Sequence, residues 1–292
     1  MSNNSQKITP FLWFDTQAEE AVNLYASVFE NSKIGKTVRV GGSVLTANFT
    51  LDGQQFVALN GGPMFKINPS ISFYTVFETV GELDNAWEKL VDGGQVLMPL
   101  QKYPWSEKYG WLQDRFGVNW QLTLGNIAEI GQKFTPAMMF VGENLGKAEP
   151  AIGFYTSVFE NSGVKFIARY GAGGMDAEGT VSHAQFWLEG QKFIAMDSAA
   201  MHKFQFNEAV SFVIHVETQA EIDYFWEKLT SDGGAESQCG WLKDKFGVSW
   251  QVVPPVLIQL LSDPDPARSQ RVMQAMMQMK KLDIATLQNA AG

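Results

Sequence analysis

The 292-residue sequence predicts an α+β protein made by tandem duplication: two copies of a domain, each holding two βαβββ modules with curved mixed sheets, followed by a helical tail. Three observations predict this. A long internal repeat runs through most of the chain, each copy shows a strand, a helix and three further strands twice over, and the pattern turns purely helical after Pro254-Pro255.

The repeat is the strongest signal. Leu24-Tyr-Ala-Ser-Val-Phe-Glu-Asn-Ser32 returns as Phe154-Tyr-Thr-Ser-Val-Phe-Glu-Asn-Ser162, an offset of 154 − 24 = 130. Gly110-Trp-Leu-Gln-Asp-Arg-Phe-Gly-Val-Asn-Trp-Gln121 returns at Gly240–Gln251, again an offset of 130. A period of that length is too long for a solenoid and fits duplication of a whole domain. The expected copies span residues 7–125 and 133–254, with the tail at 263–292.

Within copy one, Pro10 to Phe14 reads as a strand, and Thr16-Gln-Ala-Glu19 as a capping box. The helix it opens carries Ala18, Ala21, Val22, Tyr25, Val28 and Phe29 at helical spacing. Strands follow near 34–40, 44–51 and 56–60, separated by turns at Gly41-Gly42 and Asp52-Gly53. The order then restarts with a strand at Ile71–Phe77, a capping box at Thr79-Val-Gly-Glu82, a helix facing inward through Leu83, Ala86, Trp87 and Leu90, and a stop at Gly93-Gly94. Copy two repeats this, with Thr218-Gln-Ala-Glu221 as the matching box. In the tail, a helix from about Arg268 presents Val272, Met273, Met276, Met277 and Leu282, a stripe expected to dock on the protein's own body or a sister subunit.

Composition narrows the function classes. A net charge of −9 with dispersed Lys and Arg leaves no basic stripe for nucleic acid. The polar start at 1–7 has no leader pattern and no apolar run approaches a membrane span, so a cytoplasmic address without a membrane partner is expected. Cys239 is the only cysteine, which excludes an intrachain disulfide. Its neighbours Lys243 and Lys245 are the only nearby cations to stabilise a thiolate.

Ile8-Thr-Pro-Phe-Leu-Trp-Phe-Asp15, Ala18-Glu-Glu-Ala21, Leu51-Asp-Gly53, Ser72-Phe73, Trp87-Glu-Lys-Leu90 with Gly93-Gly94, Asp114-Arg-Phe-Gly117 and Trp120-Gln121 carry a family resemblance. They resemble the PhnB-like family, also known as 3-demethylubiquinone-9 3-methyltransferase, of the vicinal-oxygen-chelate superfamily (glyoxalase and bleomycin-resistance proteins). The resemblance implies paired modules around a cleft. In metal-dependent relatives, His and Glu on the first and last strand of each module hold a divalent cation. The positions matched by motif here are Thr9, Ala58, Ser72 and Gln121, then Thr135, Ala195, Ser211 and Gln251, none of them a strong ligand for a first-row metal. The resemblance therefore implies no metal at the usual place and no cofactor.

Strand alternation selects further candidates. Asn48, with Thr46 and Thr50, and His183, Gln185 and Trp187 form polar sets expected either in a cleft or on a solvated outer face. Phe11, Trp13 and Tyr74 in copy one, and Met139 and Trp187 in copy two, are expected as an apolar floor. His183, His215 and Asp197, whose copy-one counterparts are Thr46, Val76 and Asn60, are candidates for acid–base chemistry or an atypical metal site. The repeated Trp and Gln residues of the 110–121 hairpin serve either packing or ligand binding. No strand–Gly-rich turn–helix holds an adenosyl cofactor, since Gly171-Ala-Gly-Gly174 lies between two β-like segments, so methyl transfer is not expected. The first expectation is a protein that binds a small organic molecule, as a monomer whose copies mimic a dimer or as a homodimer. The alternatives are a metal-independent lyase, isomerase or transferase acting through copy two, and a scaffold in which copy one mainly supports copy two.

Overall fold

The computed structural model describes residues 6–40, 42–173 and 176–292; Gly41 and Gly174 of the turns named above, and the polar start at 1–5, lie outside them. The βαβββ order appears four times. Module one comprises β1 (Ile8–Phe14), α1 (Ala18–Val28), β2 (Lys33–Val40), β3 (Ser43–Leu51) and β4 (Gln54–Asn60). Module two comprises β5 (Ile71–Phe77), α2 (Val80–Val91), β6 (Gln95–Tyr103), β7 (Ser106–Gln113) and β8 (Asn119–Leu124), and a short helix α3 (Ile127–Ile130) links it onward. Module three holds β9 (Phe134–Phe140), α4 (Ala148–Val158), β10 (Ser162–Arg169), β11 (Val181–Leu188) and β12 (Gln191–Asp197). Module four holds β13 (Val210–His215), α5 (Gln219–Thr230), β14 (Ala235–Glu236), β15 (Trp241–Lys243) and β16 (Ser249–Val253), before the tail helices α6 (Pro255–Leu261), α7 (Pro266–Met277) and α8 (Ile284–Ala291).

Two compact units divide the chain: Pro10–Val210, and Met1–Thr9 with Ser211–Gly292. In the larger unit one sheet runs β10-β11-β12-β9-β5-β8-β7-β6. Its centre is the antiparallel β5–β9 pair, with Tyr74 opposite Thr135 and Ser72 opposite Ala137. Module two of copy one thus shares a sheet with module three of copy two. Strand pairing joins modules across the duplication, a pairing that the sequence leaves open. The same unit holds the run β2-β3-β4-β1, with α1 against β3 and β4. The smaller unit holds β14-β15-β16-β13.

The apolar face of α1 explains the core of the larger unit. Tyr25 and Phe29 are buried and meet Trp120 at ring distances of 5.2 and 5.1 Å, while Phe29 also meets Phe134 at 4.8 Å. Phe49, Phe56 and Phe73 continue the packing, and each such fully buried aromatic contributes about 2–3 kcal/mol by area removed from water. Gln54 ties β4 to β9 by accepting from the Phe134 N–H and donating to its carbonyl, both at 2.9 Å.

Helix starts differ in how they are satisfied. Thr218 and Glu221 form the full capping box, and the Thr79 hydroxyl accepts from the Glu82 N–H. The box expected at Thr16–Glu19 does not form. There α1 starts after Gln17 without a side-chain cap of its own, and Asn60 Oδ1 on β4 accepts from the Ala18 N–H at 2.8 Å. A strand supplies the cap from outside the helix, which local sequence does not reveal.

The tail packs on the smaller unit itself. Val272, Leu282, Leu287 and Ala291 are buried, whereas Met277 stays exposed. Cys239 and Gly240 donate their N–H groups to Met279 O and Lys280 O, and Gln219 binds both Leu282 O and Ile284 N.

Candidate functional site

In the larger unit α2 lies on β5–β8 and α4 on β10–β12, and the opposite face of this sheet carries side chains that are buried or half-buried. Strand pairing assigns residues to that face. Trp111 stands opposite Gln121, Gln121 level with Tyr74, and Tyr74 opposite Thr135. Beyond the strand centre, Ile194 pairs with both Ala137 and Gln185, and Trp187 pairs with Lys192. Directly paired residues share a face. Ser72, Tyr74, Gln121, Thr135, Met139, Gln185 and Trp187 therefore lie together, along with His183.

Their polar groups form a network. Tyr109 donates to Gln121 Oε1 at 2.8 Å, and Gln121 Nε2 donates to Ser72 Oγ at 2.8 Å. Gln121 is only 4% and Ser72 only 1% exposed, so these bonds replace water that burial removed. Around them runs an aromatic wall. Phe166 stacks on His183 at 5.6 Å, His183 meets Tyr74 at 6.3 Å, Tyr74 meets Tyr109 at 6.5 Å, and Tyr109 meets Tyr103 at 5.6 Å and Trp105 at 6.0 Å. Burial lowers the His183 imidazole below its ordinary range and raises the Tyr74 and Tyr109 phenols, so all three are neutral near pH 7. Buried polar atoms on this face, among them Trp111 Nε1 and Thr135 Oγ1, have no hydrogen-bond partner among the described residues. At the far end, Thr135, Gln185, Trp187 and Lys192 line a cavity of about 260 Å³ against α3. Gly163 permits this arrangement: a Cβ there would stand 2.4 Å from the Trp187 ring.

Other candidates sit elsewhere. Asn60 and Asp197 are on the helix side of their strands, away from this face. Asn60 caps α1. Asp197 accepts from Gly146 and Ala148 at the start of α4 and from Val181 on β11, bonds that hold its carboxyl down against the larger upward push of burial. Ala58 and Ala195 also face the helices, paired with Ala47 and Ala184; the residues on the opposite face are Val57 and Leu59, and Ile194 and Met196. Phe11, Trp13 and Asn48 share one face of the β1–β4–β3 run, Phe11 with Val57 and Val57 with Asn48. Trp13 there donates to Gly62 O at 2.8 Å and meets Phe65 at 5.1 Å.

In the smaller unit His215 Nε2 lies 3.0 Å from Thr9 Oγ1, and burial, then the Lys7 charge, lowers its pKa. Gln251 Nε2 donates to Ser211 Oγ at 3.0 Å, the counterpart of the Gln121–Ser72 bond. Burial raises the Cys239 thiol, which disfavours the thiolate a nucleophile requires. His183, His215 and Asp197 do not form one ligand set: Asp197 faces helix α4 while His183 faces away from it. Among the described residues no group of three or more His, Cys, Asp or Glu is placed to hold a metal. No described helix is long and apolar enough to cross a membrane.

Tyr103, Trp105, Tyr109 and Phe166 were not singled out by sequence. The signal available was the aromatic density of Tyr103-Pro-Trp105 and Tyr109 on one hairpin, but its meaning depends on which module lies across the sheet.

The family profile described as 3-demethylubiquinone-9 3-methyltransferase matches the chain twice, over residues 6–123 and 132–253. No curated protein matches the chain. Among solved structures, a PhnB protein from Bacillus cereus is 44% identical, with 41% of this chain and 100% of that one covered and a TM-score of 0.40. A protein from Staphylococcus aureus is 37% identical over 41% of this chain and 97% of its own, with a TM-score of 0.19. Glyoxalase I from Zea mays is 11% identical, covers 88% of this chain and 98% of its own and has a TM-score of 0.57, a likeness of fold alone. With its profile match over both copies, the chain belongs to the PhnB-like 3-demethylubiquinone-9 3-methyltransferase family, as a tandem two-copy member.

Proposed function

We propose that the chain binds a small, planar organic molecule on the sheet face of the larger unit that lies opposite α2 and α4, without a metal at the position used by metal-dependent relatives. The observation that carries this reading is the aromatic wall from Phe166 through His183, Tyr74 and Tyr109 to Trp105, which bears no formal charge near neutral pH. Flat rings offer stacking partners, while Gln121, Ser72 and the Trp111 indole N–H offer a few oriented polar contacts, the usual composition of a small-molecule site. Methyl transfer is not part of the reading. Gly171 to Gly173 lie between strands β10 and β11, not at the start of a helix where an adenosyl cofactor is held.

Native mass spectrometry of the purified full chain, beside elemental analysis, tests it. A co-purified organic mass retained by the wild type and lost in Tyr74→Leu is the expected result. A stoichiometric transition metal with no organic mass would overturn it. One observation favours a second reading, a metal-independent lyase, isomerase or transferase: His183 is neutral and faces the same wall, so it has the form needed to accept a proton. Turnover of any candidate substrate that disappears in His183→Gln but survives His215→Gln would support catalysis over simple binding.

A further inference from the structure

We infer that this cleft ends in a subsite for an oxyanion of the ligand, a carboxylate or phosphate-type group, between α3 and strands β9, β11 and β12 of the larger unit. The inference rests on the binding reading above and specifies the chemical class of the ligand. Its first observation is Thr135. The side chain is 1% exposed, it lines the 260 Å³ cavity, and its hydroxyl has no hydrogen-bond partner among the described residues. Folded proteins seldom bury a hydroxyl without a partner, because the lost hydration is not replaced. A ligand acceptor reaching Thr135 would replace it.

The second observation is charge. Lys192 comes level with Thr135, two residues before the Ile194–Ala137 pair, and its ammonium lies 5.2 Å from the centre of the Trp187 ring. Lys165 reaches over the cavity from β10 and donates to the Glu129 carbonyl at 2.5 Å. Glu129, exposed on α3, is the one acid of the lining, set against these two cations. Gln185 adds an amide from the same face. The volume equals that of roughly nine liquid waters, enough for a carboxylate and its ring attachment.

Continuity with the aromatic wall fixes what the anion is attached to. Thr135 stands directly opposite Tyr74 across the β5–β9 pair, so a ring lying on Tyr74 places a substituent at Thr135 within one strand spacing, about 5 Å. A ligand of this shape is an aromatic acid. Trp187, held against Gly163, forms the floor under the anion and reports its arrival.

Titration of the full chain with 2-naphthoate and with its neutral counterpart 2-naphthamide, followed by calorimetry and by Trp fluorescence, tests the subsite. The acid is expected to bind about tenfold more tightly than the amide, the range of a charge-assisted hydrogen bond with a nearby cation. Lys192→Met is expected to bring the ratio of the two affinities close to one, and Thr135→Val to weaken naphthoate severalfold without lowering the melting temperature. Lys165→Gln serves as a second, surface variant with the same expected direction. Equal affinities for the two probes in the wild type, or a preference untouched by Lys192→Met, would overturn the oxyanion subsite and leave the aromatic cleft standing. Binding of neither probe would overturn the cleft reading together with the subsite.

Discussion

At the residue scale Asp114 is a heavily used buried polar group. Its carboxylate accepts from Tyr25 and Trp120, both at 2.8 Å, and from the backbone of Phe116 and Val118 at 2.9 and 3.0 Å. Burial pushes its pKa up while these donors pull it down. Asp244 repeats the pattern with Trp250, Phe246 and Val248. The repeated Gly-Trp-Leu hairpin thus acts as fold at its Asp and at Trp120 and Trp250, and faces the candidate site at Gln121 and Trp111. Asp114→Asn keeps the shape but loses the charge and turns an N–H group toward other donors. It is expected to cost about 2–4 kcal/mol in urea unfolding of the full chain; a loss below about 0.5 kcal/mol would contradict this role.

At the element scale, helix starts separate what local sequence encodes from what packing supplies. Thr218→Ala breaks a reciprocal capping box and is expected to lower stability by about 1 kcal/mol, whereas Thr16→Ala, at a similar motif that forms no box, is expected to change it by less than about 0.5 kcal/mol. Thermal unfolding of both variants checks the contrast, and equal losses would show that Thr16 caps α1 after all. Both motifs read alike along the chain. Only the approach of β4, which brings Asn60 to the first N–H of α1, decides between them.

At the scale of the whole molecule, the β5–β9 pair makes the larger unit depend on both copies. An isolated copy one, residues 6–125, would present the backbone of Ile71 to Thr75 as an unpaired edge, and such edges recruit another strand. It is expected to self-associate, most simply as a dimer in which a second copy supplies the missing strand. Multi-angle light scattering checks this, and a well-folded monomer would contradict it. The duplication therefore does more than place two similar domains on one chain: in the larger unit each copy completes the sheet of the other.

The sequence by itself determined the duplication, the four βαβββ modules, the helical tail and the family resemblance. These follow from the 130-residue offset and from hydrophobic periodicity, which are local or repetitive signals. Strand alternation offered Gln185 and Trp187 as one face of their strand, a property of the strand alone, while the family resemblance offered Ser72, Gln121 and Thr135 as candidates. Tertiary structure decided which faces look at one another. Asn60 and Asp197 end their strands, where only the approach of a neighbouring helix decides that each side chain serves its first turn. Tyr109, Phe166 and His183 became one wall only through the pairing of β5 with β9, a contact between residues about 60 positions apart that no local pattern encodes.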